Sequence, residues 1–386
     1  MQDFFKIPLT GGIIILGLTW IFTFHYNEKV LQLISKPTAL AFIAFYLLHL
    51  LSILYTENLT IGWNDMRLKI TLLLLPLFMM TTQLFTQLKR LFLLRLFAGL
   101  MVLMAGVDLA LSWFEFLSTS NSAVFFYKNL PHLLASKPHY ASWYYAFALF
   151  IILNEIVTHK KWRRVWILGF SLVLLSLIFL SSRAYMIAFM IVFALSFVKW
   201  ASYVELSKLS WIKVSLAFFL LIGTLFVLPQ TRSRIKDTLV EIEKLSNEQD
   251  YRQTNPRVYL WSYGASLIGQ SPLFGYGLGD ATAELQKALK GCDAKFWDGE
   301  KNVPIHAKKL NYHNQFLQTW AEVGILGFLL LAFLMIRPFF LKNQHPLFLI
   351  FVGLTLIGFL TESMLERQAG VVLLAFMYPL LSDLKK

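Results

Sequence analysis

Long apolar stretches separated by short polar ones set the character of this chain. Runs in which almost every position is hydrophobic fall near 7–24, 38–54, 70–86, 91–112, 139–157, 164–181, 184–199, 212–229, 317–336, 346–361 and 369–382. A bilayer core takes ~20 mostly apolar residues per helix, so these eleven runs read as candidate membrane spans. They are continuous rather than alternating, which argues against barrel strands. The first run is too long, and lacks a small-residue cleavage site, to be a removable signal peptide. The pattern predicts an all-α fold: a polytopic membrane helix bundle of about 11–12 transmembrane helices.

One long polar segment interrupts the pattern, residues 230–316, with twelve Lys/Arg and ten Asp/Glu. It divides the chain into an N-terminal bundle, 1–229, a loop, 230–316, and C-terminal helices, 317–386. A loop this long without structure would be unusual, and its patterning is helical. Arg232 to Leu245 has helical periodicity. Asn255-Pro256 reads as an N-cap with Pro at the first helical position, opening a helix to about Gly269. Ser271-Pro272 and Gly275-Tyr276-Gly277 form a turn cluster, and Asp280 caps a helix to Lys290 that Gly291 closes.

Charge orients the bundle. Lys160, Lys161, Arg163 and Arg164 place the loop at 158–164 in the cytoplasm. Alternation then puts Lys89 and Arg90 inside, with Lys199, Lys208 and Lys213, Arg337 and Lys342, and Lys385 and Lys386. The loops at 55–69, 113–138, 182–183, 230–316 and 362–368 face outward. With eleven spans the N-terminus also lies outside.

Composition agrees with a membrane protein and excludes an ordinary soluble enzyme. Of 386 residues, 57% are hydrophobic and only 15% charged, against ~25% charged in soluble domains. A net charge of +13 fits cytoplasmic membrane edges and anionic lipid; the expected partner is a lipid bilayer, not nucleic acid. The single cysteine, Cys292, excludes an intramolecular disulfide framework and a Cys-based zinc site.

The outward end collects unusual polar residues. Arg183 stands between two spans joined by almost no loop, either snorkelling or acting as a fixed cation at the membrane surface. Arg257 opens the helix after Pro256, where the helix dipole disfavours a cation unless an anion is shared; a solvated arginine is the alternative. His313 stands where the loop meets the ninth span, with Tyr312 before it and Asn314 as a candidate N-cap after it. A histidine there titrates near neutrality and can act as a base. Glu322, nine residues on, falls on the opposite helix face and is not its partner.

Lys69 and Arg67, at the edge of the third span, are weaker candidates for substrate contacts, as are His139 and Tyr140 at the start of the fifth. Asp108 reads as a buried structural pair, with a proton relay as the alternative. Glu362 and Glu366, one turn apart beside Arg367, read as an intrahelical salt-bridge network. Gly275, Gly277 and Gly279 do not follow G-x-G-x-x-G, and no strand precedes them, so turn geometry is favoured over a phosphate loop. No metal-ligand spacing occurs, and no cofactor is implied. Two arginines and a histidine at one face suit metal-free displacement of a lipid diphosphate.

Three blocks resemble a known family. They are Leu180-Ser181-Ser182-Arg183-Ala184; Arg257-Val258-Tyr259-Leu260-Trp261 with Ser271-Pro272-Leu273-Phe274-Gly275-Tyr276-Gly277-Leu278-Gly279; and His313-Asn314-Gln315-Phe316-Leu317 with Glu322-Val323-Gly324-Ile325-Leu326-Gly327. Their order and spacing resemble the bacterial O-antigen ligase/polymerase family over about 165–382, with Gly62 through Pro76 the most similar N-terminal part.

The resemblance implies a GT-C-like membrane bundle with a large helical extracytoplasmic loop. It implies metal-independent, inverting transfer of an undecaprenyl-diphosphate-linked glycan at the periplasmic face of the bacterial inner membrane. Arg183 and Arg257 would hold the diphosphate, and His313 would take or orient the acceptor hydroxyl proton. Tyr312, Asn314, Lys69, Arg67, His139 and Arg367 are expected to contact substrate. The expected acceptor is a lipid A-core glycolipid. Alternatives are a polymerase of carrier-linked repeats, a protein O-oligosaccharyltransferase and, outside enzymes, a polysaccharide or lipid transporter.

Overall fold

The computed structural model describes residues 6–23, 25–130, 137–159, 161–180, 182–201, 256–292, 295–297 and 302–384. The expected span at 212–229, the helix at Arg232–Leu245, Lys160, Lys208, Lys213, Asn255, Lys385 and Lys386 lie outside them. The protein is an all-α polytopic membrane protein. Its helices are α1 (Lys6–Phe22), α2 (Tyr26–Ser35), α3 (Pro37–Ser52), α4 (Leu59–Lys69), α5 (Thr71–Met80), α6 (Gln87–Thr119), α7 (Pro138–Thr158), α8 (Arg163–Phe179) and α9 (Arg183–Ala201). After them come α10 (Pro256–Gln270), α11 (Ala281–Leu289), α12 (Gln315–Phe340), α13 (Pro346–Thr361) and α14 (Gln368–Ser382).

The apolar runs became helices because lipid offers the backbone no hydrogen bonds, so each segment must satisfy its own. Among the described residues three helices, α6, α7 and α12, are long and apolar enough to cross a membrane. The pair α2–α3, bent by 90°, makes a fourth if counted as one span. The sequence count of eleven is larger because the run at 212–229 lies outside the described residues and several others fold as shorter helices: α5 has 10 residues and α14 has 15.

Helix α7 forms the centre, packed against α6, α8, α9, α13 and α14. Its Trp143 stacks on Phe351 of α13 at 5.9 Å between ring centres, and both are buried. Asp108 of α6 is buried at this core and accepts a hydrogen bond from Tyr145 Oη at 3.3 Å, the structural pairing favoured from sequence.

A second, smaller core joins α10, α11 and the start of α12 through Leu260, Leu267, Leu285, Ile305 and Tyr312. Helices α10 and α11 lie where the sequence placed them. Beyond them, β1 (Lys295–Trp297) and β2 (Asn302–Pro304) pair antiparallel, Phe296 opposite Val303, a hairpin the sequence reading did not foresee.

Helix α12 breaks at Gly324, whose φ of 73° and ψ of −169° leave the helical region. A break inside an apolar helix frees backbone groups that need partners. The turn after α10 supplies them. Tyr276 N donates to Ala321 O at 2.7 Å, Gly277 N to Glu322 O at 3.0 Å, and Ile325 N to Pro272 O at 3.0 Å. A Cβ on Gly324 would fall 1.9 Å from Leu273 O. Gly324 was expected to permit close helix approach; it does so by letting the turn enter the helix. The glycine cluster is therefore a structural turn, as its spacing indicated.

The same turn is fastened to the end of α3 and the residues that follow it. Leu278 N donates to Ser52 Oγ at 3.2 Å, Gly279 N to Thr56 Oγ1 at 3.3 Å, and Tyr55 Oη to Phe274 O at 2.6 Å. Asp280 makes no side-chain cap on α11. Its carboxylate instead accepts from Glu57 N at 2.6 Å and Asn58 N at 3.1 Å.

Candidate functional site

His313 is held by its backbone. Asn314 caps α12: its Oδ1 accepts from Phe316 N at 2.9 Å and Leu317 N at 3.1 Å. Its Nδ2 donates to Leu360 O at 3.3 Å, tying the cap to the end of α13. Tyr312 is fully buried, with Oη donating to Ala281 O at 3.0 Å and N donating to Gln318 Oε1 at 3.3 Å. Between these anchors His313 adopts φ 45°, and its N donates to Asn311 Oδ1 at 3.1 Å. A non-glycine residue in that region costs about 1–2 kcal/mol, a strain that persists only where the surroundings fix it. The imidazole is thereby aimed at the end of α13.

There Nδ1 of His313 lies 2.9 Å from Glu362 Oε2. The ring is 21% exposed and the carboxylate 8% exposed. His139, in the first turn of α7, places Nε2 3.8 Å from the same oxygen. Burial pushes the Glu362 carboxyl up, but the His313 hydrogen bond, with the electrostatic pull of His313, His139 and Lys137, outweighs it. The net result is a pKa lowered to about 2. Arg257, in the first turn of α10, and His313 both act electrostatically on His139. His139, a weaker candidate from sequence, thus lies beside His313 and within the field of Arg257.

Arg183 is the first residue of α9, and its side chain lies outside the described residues. Tyr185, two residues on, is buried, and its Oη lies 4.0 Å from Met364 Sδ. The first turn of α9 therefore abuts the segment that follows Glu362.

Lys69 occupies a different setting from the substrate contact expected of it. It is buried, with Nζ 2.8 Å from Glu366 Oε1 and 3.7 Å from Glu322 Oε2. His49 Nε2 lies 3.4 Å from the same Glu322 oxygen, and Gln318 Nε2 donates to Glu322 Oε1 at 2.7 Å. Burial pushes the Glu366 carboxyl up to about 8, with Glu322 adding to the rise and Lys69 opposing it. Arg67 is exposed on the other face of α4, and Arg367 is exposed beside Glu366. Tyr312 packs inward rather than toward a ligand, because the missing side chain of Gly264 makes room for its ring.

Glu362 and Glu366 are not an intrahelical network. Helix α13 ends at Thr361, and Met364–Glu366 is a separate short turn of 3₁₀ helix. The turn sends Glu362 to His313 and Glu366 to Lys69. Gln315 Oε1 accepts from Leu365 N at 2.6 Å and holds that turn against α12. Sequence reasoning gave Glu362 a different partner and passed over Gln318, because the contacts of Glu362 with His313 and of Gln318 with Tyr312 and Ser363 join residues that helix periodicity does not relate. Among the described residues no three His, Cys, Asp or Glu side chains are grouped to hold a metal ion.

Residues 168–332 match the O-antigen ligase family. That stretch contains Arg183, Arg257 and His313, and it bears out the resemblance carried by the three blocks. A Rickettsia conorii protein described as a putative polysaccharide ligase is 33% identical over 96 residues, covering 23% of this chain and 21% of that protein. The shared stretch is thus about a fifth of that relative's length.

Proposed function

We propose, from the O-antigen ligase match over residues 168–332, that this protein is a membrane glycosyltransferase acting on a lipid-diphosphate-linked glycan. The donor is an undecaprenyl-diphosphate-linked O-antigen and the acceptor a lipid A-core glycolipid, met at the periplasmic face of the inner membrane. The observation that carries the proposal is the meeting of His313, Glu362, His139 and the field of Arg257 beside the first turn of α9.

The chemistry follows from those groups. The acceptor hydroxyl oxygen forms a bond to the anomeric carbon while the bond from that carbon to the diphosphate breaks. The hydroxyl proton passes to His313, and the electron pair leaves with the lipid diphosphate. Charge grows on the bridging oxygen, where guanidinium groups stabilise it most. Arg257 and Arg183 supply two planar forks that grip diphosphate bidentately. Bringing hydroxyl and anomeric carbon into line is a positioning task, worth several kcal/mol of barrier. Attack opposite the leaving group inverts the sugar.

A deletion strain tests the reading. Lipopolysaccharide is separated on a gel, and carrier-linked glycans are analysed beside it. Loss of every O-antigen band with accumulation of long carrier-linked glycan is expected. A persisting single-repeat band without a ladder would assign polymerisation instead.

A further inference from the structure

We infer that Glu362 is a positioning residue that fixes His313 in the Nδ1–H tautomer and leaves Nε2 as the proton acceptor. The inference rests on the reading of His313 as the base. The matched family segment ends at residue 332, so it assigns nothing to Glu362.

Three observations carry it. First, the Glu362 Oε2 to His313 Nδ1 distance is 2.9 Å, full hydrogen-bond length. One of the two atoms must bring the hydrogen. The carboxyl is held well below the usual carboxylate range, so it is ionised and can only accept. Nδ1 therefore carries the hydrogen, and Nε2 presents its lone pair.

Second, both partners are fixed from separate elements. His313 is locked at φ 45° between buried Tyr312 and the cap Asn314. Glu362 N donates to Gly358 O at 2.9 Å, and the next residue, Ser363, reaches Gln318 Oε1 with its hydroxyl at 3.5 Å. Asn314 Nδ2 on Leu360 O joins the two sides directly. The pair is built into the junction of α12 and α13 rather than formed by chance at a surface.

Third, the one other histidine on this oxygen among the described residues does not compete. His139 Nε2 stands 3.8 Å away, beyond hydrogen-bond length, and makes no hydrogen bond among the described residues.

The consequence for the reaction is direct. As the acceptor hydroxyl attacks, its proton moves to Nε2 and the ring becomes an imidazolium with hydrogen on both nitrogens. The Glu362 carboxylate already faces Nδ1–H, so it stabilises that cation as it forms. An amide at 362 can donate or accept, carries no charge, and loses both effects.

The test uses the full-length protein with ¹⁵N-labelled histidine imidazoles in nanodiscs at pH 8. The His313 signals are assigned by their loss in His313→Gln. In the wild type, Nδ1 is expected to be protonated and Nε2 bare; in Glu362→Gln the Nε2–H form should appear. In membranes of a deletion strain containing its own carrier-linked glycan, Glu362→Gln should lower turnover about a hundredfold or more, the scale of general-base catalysis. Glu362→Asp should recover a substantial part. A wild-type spectrum with Nε2 protonated overturns the inference, as does Glu362→Gln activity within twofold of wild type while His313→Gln is inactive. Full activity in His313→Gln would instead overturn the reading of His313 as the base.

Discussion

Lys69 Nζ lies 2.8 Å from Glu366 Oε1, and this pair joins the end of α4 to the turn that positions Glu362. The lysine side chain is 1% exposed, so the contact is structural in its reach and couples a distant helix to the candidate site. Lys69→Met should strand Glu322 without its cation, while Glu366, whose carboxyl burial pushes up to about 8, takes a proton. Breaking a buried pair in this way costs about 3–5 kcal/mol, read as lost monodisperse protein and a lower Tm. Adding Glu322→Gln, which removes the stranded charge, should restore a large share. A Lys69→Met protein of unchanged Tm that no longer binds donor would return Lys69 to the substrate-contact role expected from sequence.

The break in α12 makes Gly324 irreplaceable. Any side chain there would meet Leu273 O, and the backbone conformation is one that only glycine adopts readily. Gly324→Ala should abolish accumulation of folded protein. Gly99→Ala, where a Cβ meets nothing within 4 Å, should leave stability level or slightly raised, since alanine favours a helix. Equal yields of the two variants would show that the break is dispensable.

The His313–Glu362 pair should shape stability in acid. Folding lowers the Glu362 pKa from 4.5 to about 2. The contribution is therefore present above about pH 4.5 and is lost as pH falls toward 2. Wild type and Glu362→Gln, melted in detergent between pH 7 and pH 3, should differ most at the upper end and converge as pH drops. A difference that widens toward low pH would contradict the pairing.

Arg257→Lys should lose most transfer activity while folding normally. An ammonium is a point charge and cannot replace a planar fork on a diphosphate. Activity within a few fold of wild type would remove Arg257 from the diphosphate site.

The transfer as proposed uses side chains alone to meet the leaving group. Activity should therefore be complete in excess EDTA. A strict requirement for added Mg²⁺ or Mn²⁺ would refute that mechanism.

Much of the architecture was written in the linear pattern. Continuous apolar runs had to become helices, because lipid leaves the backbone no other partner. The Asn314 cap, the helix from Pro256 and the turn around Gly275 follow from local preferences that neighbouring residues alone express. Arg183, Arg257 and His313 stood out as candidates for a related reason: each sits where a polar group at a helix end needs explaining.

Tertiary structure decided the rest, wherever the deciding energy came from residues far apart in the chain. Asp280 leaves its own helix unassisted to bind the backbone at Glu57 and Asn58. Glu362 and Glu366, adjacent by spacing, separate toward His313 and Lys69 because the chain turns between them. Lys69, an edge cation by sequence, became a buried one. Charges held away from water settle wherever packing brings an opposite charge within reach, and helix periodicity carries no information about which distant residue that will be.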